Sequence, residues 1–450
     1  MKKKRRWISL LLGAACFFQI NILPAQAEEY WPEGPEIAGN SAIVMEASTG
    51  TVLYEKNSHE ELYPASITKI MTALLAIENS SLDEEVTFSQ NAVYKTEGSG
   101  ISRDVDEVMS MKECLYALML ESANECAYAI AEHVGGDYDT FIQMMNDKAA
   151  ELGCQNTHFS TPHGLPDETH YTSAYDMALI SREALQNETF RLITSTKRYT
   201  IPPTNKHAEE TYLSNHHKML NAWKGDSSYV YDGCIGGKTG YTSAANSTLV
   251  TFAERDGMTL ICVVMNEQSP NHYMDTTNLL NYCFENFQLW NVAENETKYT
   301  SDVMENKIFA NEESFLTLDE ESSIVLPKAA AFTDAVSEVK EDTTSKDKVG
   351  SIQYTYAQRN VGKADIKITG AKVSEFPFQK QAAKEDKVVK VNTKYILIGI
   401  LVVIVLAGIG FGIYHFADNF YLIRYKFKSK RQKGFKEIKQ RKKRRRKRWF

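Results

Sequence analysis

The first long apolar run, Trp7 to Phe18, follows five basic residues, Lys2 to Arg6, and precedes Ala25-Gln26-Ala27. That order reads as a secretory signal over residues 1–27, ending in an A-x-A cleavage site. The alternatives are an uncleaved anchor and, through Cys16, a lipoprotein, although no Leu stands three residues before Cys16. Residues 28–40 are a polar lead-in with Pro32 and Pro35. Ala42 to Glu46 and Thr51 to Tyr54 then predict two short strands around Ala47-Ser48-Thr49-Gly50, a hairpin signal. Ile67, Ile70, Met71, Leu74, Leu75 and Ile77 cover nearly the whole circumference of a helix from Ser66 to Glu78, which should therefore be buried.

Residues 84–190 read as mainly helical, punctuated by Gly135-Gly136 and by a loop from His158 to Asp167. Strands return from Arg198 onward. Thr248 to Phe252 and Thr259 to Met265 flank the turn Arg255-Asp256-Gly257, and a last helix runs from Tyr273 to Phe287. Strands at both ends with helices between predict an α/β (α+β) domain over 41–290, an antiparallel sheet covered by helices. The texture then changes. Short β-leaning runs such as Ser323 to Leu326 and Ile352 to Tyr356 predict a small β domain over 291–378. A lysine-rich polar linker, 379–394, leads to 22 residues without a charge, Tyr395 to Phe416. As a helix, that run can cross a hydrocarbon core of roughly 30 Å. Residues 417–450 form a basic tail, and no internal repeat is visible.

Charge sharpens this picture. The net charge of −7 conceals a basic start, a strongly acidic middle, and a tail with 16 Lys and Arg against Glu437 between Arg424 and Arg448. The positive-inside rule places the tail in the cytoplasm and residues 28–393 outside. Nucleic-acid binding is the rival for such a run, but its position directly behind a spanning helix favours anionic lipid. Six cysteines remain after signal removal: Cys114, Cys126, Cys154, Cys234, Cys262 and Cys283. A domain this large needs no disulfide staples. If residues 112–132 form one helix, Cys114 and Cys126 lie about 18 Å apart along it. Buried free thiols are expected, and no C-x-x-C zinc pattern occurs.

Three short motifs carry chemistry. In Ser66-Ile67-Thr68-Lys69 the two polar residues share a helix face. A lysine whose pKa is lowered by burial can take the proton of a serine hydroxyl, making it a nucleophile. The same spacing at Ser337 to Lys340 and Ser345 to Lys348 lies in polar stretches and reads as solvated chain. Ser122-Ala123-Asn124 sits within an apolar helical stretch, Leu115 to Ile130, that offers little reason for a polar pair. Its hydroxyl and amide could relay a proton and hold a substrate amide. Ser89-Gln90-Asn91 matches the pattern but reads as a plain helix start. Lys238-Thr239-Gly240 follows Gly236-Gly237 and precedes Tyr241-Thr242. Its lysine and threonine suit a carboxylate, its glycine leaves the strand edge open to a peptide, and the preceding pair allows close backbone approach.

Together these residues resemble the serine DD-peptidase and class A β-lactamase superfamily. The match is closer to the low-molecular-weight penicillin-binding proteins, the D-alanyl-D-alanine carboxypeptidases. It runs from about Ser41 to Phe287, through Pro64 to Thr72, Leu118 to Asn124, His163-Gly164-Leu165 and Lys238 to Thr242. The resemblance implies that Ser66 forms an acyl-enzyme and that Lys69 is its base. Ser122 would pass a proton to the leaving D-alanine, and Asn124 would bind a substrate amide. Lys238 would support Ser122, Thr239 would hold the terminal carboxylate beside Gly240, and the N–H groups of Ser66 and Tyr241 would form the oxyanion hole. It implies peptidoglycan stem peptides as substrates, β-lactam antibiotics as covalent inhibitors, a bilayer reached through the C-terminal helix, no nucleic acid and no cofactor. One departure stands out: family members often carry an Arg before K-T-G, where this chain has Asn215-His216-His217-Lys218, and the loop Trp223 to Gly233 is long.

Three rivals remain. A β-lactamase would need a deacylating Glu that cannot be placed here. A zinc peptidase would draw on His158, His163, Asp167 and His170, which fit no H-x-x-x-H helix pattern. In that set His163, directly before Gly164, reads as a structural turn residue. A penicillin-acylated sensor or wall-binding pseudoenzyme would acylate without turnover.

Overall fold

The structure, a computed structural model, describes residues 30–222, 224–299, 315–341 and 348–369. The expected signal, linker, spanning helix and basic tail lie outside the described residues, as does Ser345. Among the described residues no helix is long and apolar enough to cross a membrane.

The central sheet has five antiparallel strands: β1 Ser41–Glu46, β2 Val52–Lys56, β3 Cys234–Thr242, β4 Asn246–Arg255 and β5 Met258–Glu267. Their order is β2-β1-β5-β4-β3, so the first hairpin docks on the last strand of the sheet. Residues alternate between faces of a strand, and here both faces are buried. Ile43, Met45, Val250, Phe252, Ile261 and Val263 enter one core, whereas Ala42, Val44, Leu249, Leu260, Cys262 and Val264 enter another. This is why β1 is buried at every position. The β4–β5 turn places Asp256 at φ 52° and Gly257 at φ 77°, the pairing that a two-residue hairpin of type I′ requires.

The first core is roofed by helices: α1 Lys69–Asn79, α2 Met111–Tyr116, α3 Asn124–Gly135, α4 Tyr138–Glu151, α5 Ala174–Leu185 and α6 Glu188–Ser195. A 3₁₀ turn, Ala65–Thr68, leads into α1. The second core lies under α7, Asn271–Asn286. The expected continuous helix through Ser122 does not form. After α2 the chain widens into a π turn, Ala117–Glu121, Ser122 turns left-handed at φ 61°, and α3 starts afresh at Asn124. The break removes the premise of the 18 Å separation: Cys114 lies on α2 and Cys126 on α3, and both enter the first core. Both are fully buried, and all six cysteines among the described residues are free.

A second sheet follows: β6 Phe287–Asn291, β7 Phe315–Leu318, β8 Ser323–Pro327, β9 Val336–Glu341, β10 Lys348–Tyr356 and β11 Arg359–Thr369. Its order is β6-β8-β11-β10-β9, with β7 also on β11. It thus begins upstream of residue 291, because Phe287 continues directly from α7. Ser337 and Lys340 fall on β9, away from any helix start. The lead-in joins the second core to this sheet. Trp31 sits 5.0 Å from the Phe287 ring, the Arg359 guanidinium lies 4.9 Å over Trp31, and the Tyr30 N–H donates to Tyr356 Oη at 3.2 Å.

Phe287 is 1% exposed at this joint. Phe287→Ala should cost about 3–5 kcal/mol. Chemical unfolding should show the loss in the transition that reports the catalytic sheet, because Phe287 belongs to its lower core.

Candidate active site

The Ser66 turn is held from three sides. Ala65 adopts φ 51°, and its carbonyl accepts from Thr68 Oγ1 at 2.9 Å. Thr248 Oγ1 on β4 donates to Pro64 O at 2.8 Å. Gly164 packs beneath at φ 86°, where an added Cβ would lie 1.9 Å from Ala65 O. Gly240 is needed for the same kind of reason, since a Cβ there would come within 2.9 Å of Ser66 N. The strand edge thus abuts the turn itself, a tighter constraint than leaving room for a peptide. Gly237 likewise meets α6, its N–H donating to Thr194 Oγ1 at 2.9 Å.

Lys69 is fully buried beside this turn. Its Nζ lies 2.7 Å from Asn124 Oδ1, 2.6 Å from His163 O and 3.0 Å from Ser66 Oγ. Burial, and then the nearby charge of Lys238, hold its pKa well below the ordinary lysine range. A neutral amine keeps two hydrogens and a lone pair. Two carbonyl acceptors take the hydrogens, and the lone pair is left facing the Ser66 hydroxyl. The site can therefore remove the serine proton.

The helix break puts Ser122 and Asn124 on this side. Ser122 is 6% exposed, and its Oγ has no hydrogen-bond partner. A left-handed non-glycine residue costs on the order of 1–3 kcal/mol and is characteristic of functional sites. The structure gives Ser122 no hydrogen bond to Ser66, Lys69 or Lys238. Asn124 is more occupied than its motif suggests. Besides Lys69, its Nδ2 donates to Glu97 O and its backbone N–H to Ser99 O at 2.8 Å.

Lys238 is 2% exposed on β3, the edge strand, and its Nζ donates to Thr239 O at 2.9 Å. Burial lowers its pKa to about 7, and the Glu121 carboxylate opposes that shift. Thr239 is half-buried, and the Tyr241 side chain is exposed. The Asn215 to Lys218 stretch splits apart. His217 is buried, with Nε2 3.0 Å from Val250 O, and Lys218 lies over the rings of Tyr229 and Tyr273. Only His216 turns to the S-x-N segment, its Nε2 2.8 Å from Glu121 Oε2. Burial pushes the Glu121 carboxyl up, but the bonds from His216 and the Ser214 N–H bring it below its ordinary value.

Histidines near the site serve the scaffold. Ser160 N–H donates to His170 Nδ1 at 3.0 Å, so Nε2 carries the proton toward Thr68 Oγ1 at 2.9 Å. His163 Nδ1 accepts from Leu165 N–H, and burial lowers both imidazoles to about 3. Among the described residues no group of three His, Cys, Asp or Glu side chains could hold a metal ion. Ser89 caps the short helix Gln90–Tyr94.

Residues 28–269 match the profile of the D-alanyl-D-alanine carboxypeptidases. The chain belongs to this family. It is 34% identical to the D-alanyl-D-alanine carboxypeptidase DacF of Bacillus subtilis, over 77% of this chain and 85% of that protein. It is 33% identical to the D-alanyl-D-alanine carboxypeptidase of Streptomyces sp. K15, over 56% of this chain and 88% of the other. The crystal structure of the Streptomyces K15 DD-transpeptidase superposes with a TM-score of 0.52 at 32% identity, covering 56% of this chain and all of that one. As a serine-type carboxypeptidase, this protein brings Ser66, Lys69, Asn124, Lys238 and Gly240 into one site, with Ser122 buried two residues before Asn124. Sequence reasoning missed what Glu121, Thr68 and His170 do: Glu121 faces Lys238, and Thr68 bonds Ala65 O and His170 beneath the Ser66 turn. Glu121 stood inside a quoted motif, but its partner His216 is 95 residues away.

Glu121 sets how long Lys238 stays charged. Lys238 is cationic below its pKa, so any attraction it exerts on a carboxylate is present at acid pH and is lost as pH rises through about 7. Glu121→Gln removes the opposing charge and lowers that pKa further. The rise in KM for a carboxylate-bearing peptide should then begin at lower pH than in the native enzyme, as a pH profile would show.

Proposed function

We propose that this carboxypeptidase removes the terminal D-alanine of peptidoglycan pentapeptides through an acyl-enzyme on Ser66. The observation that carries the reading is the buried Lys69 amine, whose two carbonyl acceptors leave its lone pair for the Ser66 hydroxyl. Lys69 takes the proton as Ser66 Oγ attacks the penultimate D-alanine carbonyl. The N–H groups of Ser66 and Tyr241 receive the developing oxyanion. The second Nδ2 hydrogen of Asn124 holds the substrate amide oxygen. Ser122 takes up the proton held by Lys69 as it gives its own to the departing D-alanine nitrogen, so that the peptide bond breaks and Lys69 returns to the neutral amine, supported by the Lys238 charge. Thr239 and Lys238 hold the terminal carboxylate. Water then hydrolyses the ester and frees Ser66. β-Lactams enter the same path and remain as esters.

The domain scheme is part of this proposal. The signal over 1–27 exports the chain, the catalytic and β domains over 41–378 act outside the cell, the 379–394 linker spans toward the bilayer, the 395–416 helix anchors it, and the 417–450 tail stays in the cytoplasm. The sequence patterns alone support it.

Labelled penicillin should attach to Ser66, and Ser66→Ala should abolish both labelling and D-alanine release. Losing one hydroxyl contact costs about 1 kcal/mol, so thermal unfolding should show a folded variant. Labelling that persists would move the nucleophile elsewhere, and labelling of native protein without D-alanine release would favour the sensor.

His216 is committed to Glu121. An arginine there has five donors and can hold Glu121 while offering N–H groups to a carboxylate. His216→Arg should raise kcat/KM for pentapeptide about tenfold or more, the equivalent of a charged hydrogen bond, with little change in penicillin acylation. Equal values would remove the carboxylate argument alone.

A further inference from the structure

Asn124 can serve Lys69 only if its carboxamide faces one way. Its Oδ1 accepts from Lys69 Nζ at 2.7 Å while its Nδ2 is turned to Glu97 O. Rotated by half a turn, the group would present N–H bonds to the amine, and the Lys69 lone pair would turn to them and away from Ser66. The orientation therefore depends on the loop that carries Glu97.

That loop, residues 97–103, has little packing of its own at its start. Glu97, Gly98, Ser99 and Gly100 are exposed, and a cleft of about 160 Å³ lies among them. Hydrogen bonds set its position instead. Ser99 O accepts from Asn124 N–H at 2.8 Å. One residue further along α3, the buried Glu125 accepts on a single oxygen, Oε1, from two successive backbone groups, Ile101 N–H at 2.6 Å and Ser102 N–H at 3.0 Å. Ile101 O is gripped from the other side by Arg103, through Nε at 3.3 Å and Nη2 at 2.9 Å. Ser102 stands at φ 60°, a left-handed conformation that persists only where its surroundings enforce it. Gly100 admits the carboxylate, since a Cβ there would lie 2.6 Å from Glu125 Oε2.

We infer that Glu125 is a positioning residue for acyl transfer: by tying down Ile101 and Ser102 it holds the Glu97 carbonyl that orients the Asn124 carboxamide, and so keeps the Lys69 lone pair on Ser66. This rests on the proposed reading of Lys69 as the base. Glu125 also acts through space. The titratable groups facing Lys69 are Lys238 on β3, Glu125 and Cys126 on α3, and the imidazoles of His163 and His170. Glu125 is the carboxylate among them, and it opposes the fall in the Lys69 pKa that burial and Lys238 produce.

Two variants of the full-length enzyme separate the tether from the charge. The readouts are the rate of Ser66 labelling at saturating penicillin across pH, and thermal unfolding. Glu125→Ala frees the loop, and labelling should slow roughly tenfold or more at every pH, the order of a lost hydrogen bond to a charged group, in a protein that still unfolds cooperatively. Glu125→Gln keeps an oxygen for both N–H groups but loses the charge. Its maximal rate should stay near native, and the acid limb of its pH profile should move to lower pH, because Lys69 then gives up its proton more readily. A contribution to stability alone would not move that limb. Labelling at the native rate by Glu125→Ala overturns the inference and leaves the carboxypeptidase reading standing. If that variant does not fold, Glu125→Gln decides alone: a limb that stays in place, or a fallen maximal rate, overturns the inference. A native enzyme that leaves Ser66 unlabelled overturns the reading and the inference together.

Discussion

Burying the Lys69 amine is the constraint around which the rest of this domain is arranged. A lysine ammonium withdrawn from water is costly unless it is paired or loses its proton. Here both responses operate. The charge of Lys238 and the burial favour the neutral form, and three oxygens from separate parts of the chain surround Nζ. Each oxygen requires a local departure from regular structure. Ser66 sits on a 3₁₀ turn after a left-handed Ala65, Asn124 restarts a broken helix, and His163 precedes Gly164 at φ 86°. Together these departures build a small polar chamber inside a densely packed apolar layer.

The second lysine depends on the same packing but is tuned differently. Lys238 has a carboxylate neighbour, Glu121, that opposes its fall to about 7, whereas for Lys69 the charge of Lys238 adds to burial in lowering the pKa. Two identical side chains in one cleft thereby meet different electrostatic surroundings, the kind of arrangement by which a site separates a base from a cation. Glu121 makes this division possible, and His216 holds Glu121 in place.

Local patterns were legible in the sequence, and long-range pairings were not. The first hairpin and the Asp256-Gly257 turn follow from alternation and turn chemistry within a few residues. The S-x-x-K helix was recognisable because its apolar surface has no polar side. The break at Ser122 was hidden, since Leu115 to Ile130 carries an apolar pattern that fits a continuous helix equally well. What interrupts it is tertiary: the Asn124 N–H pairs with Ser99 O, and its side chain is drawn to Lys69 and Glu97. The placing of Cys114 and Cys126 in one core and the pairing of Glu121 with His216 are likewise products of the fold. The second sheet began early because Phe287 reads equally well as the end of a helix or the start of a strand.

The strand order carries a consequence for how the molecule comes into being. β1 lies between β2 and β5, so a segment ending at Glu46 pairs with one starting at Met258. The bond from Thr248 to Pro64 spans 184 residues. A chain emerging N-terminus first can make its opening hairpin and its helices early, but the sheet cannot close until residue 267 has arrived. Until then β1 presents an unpaired apolar edge, the kind of surface on which chains aggregate. Such topologies fold slowly because loop closure precedes the contacts that reward it. Since the last strands also bring Gly240 against the Ser66 turn, the site is assembled at the final step of folding and marks a chain whose tertiary structure is complete.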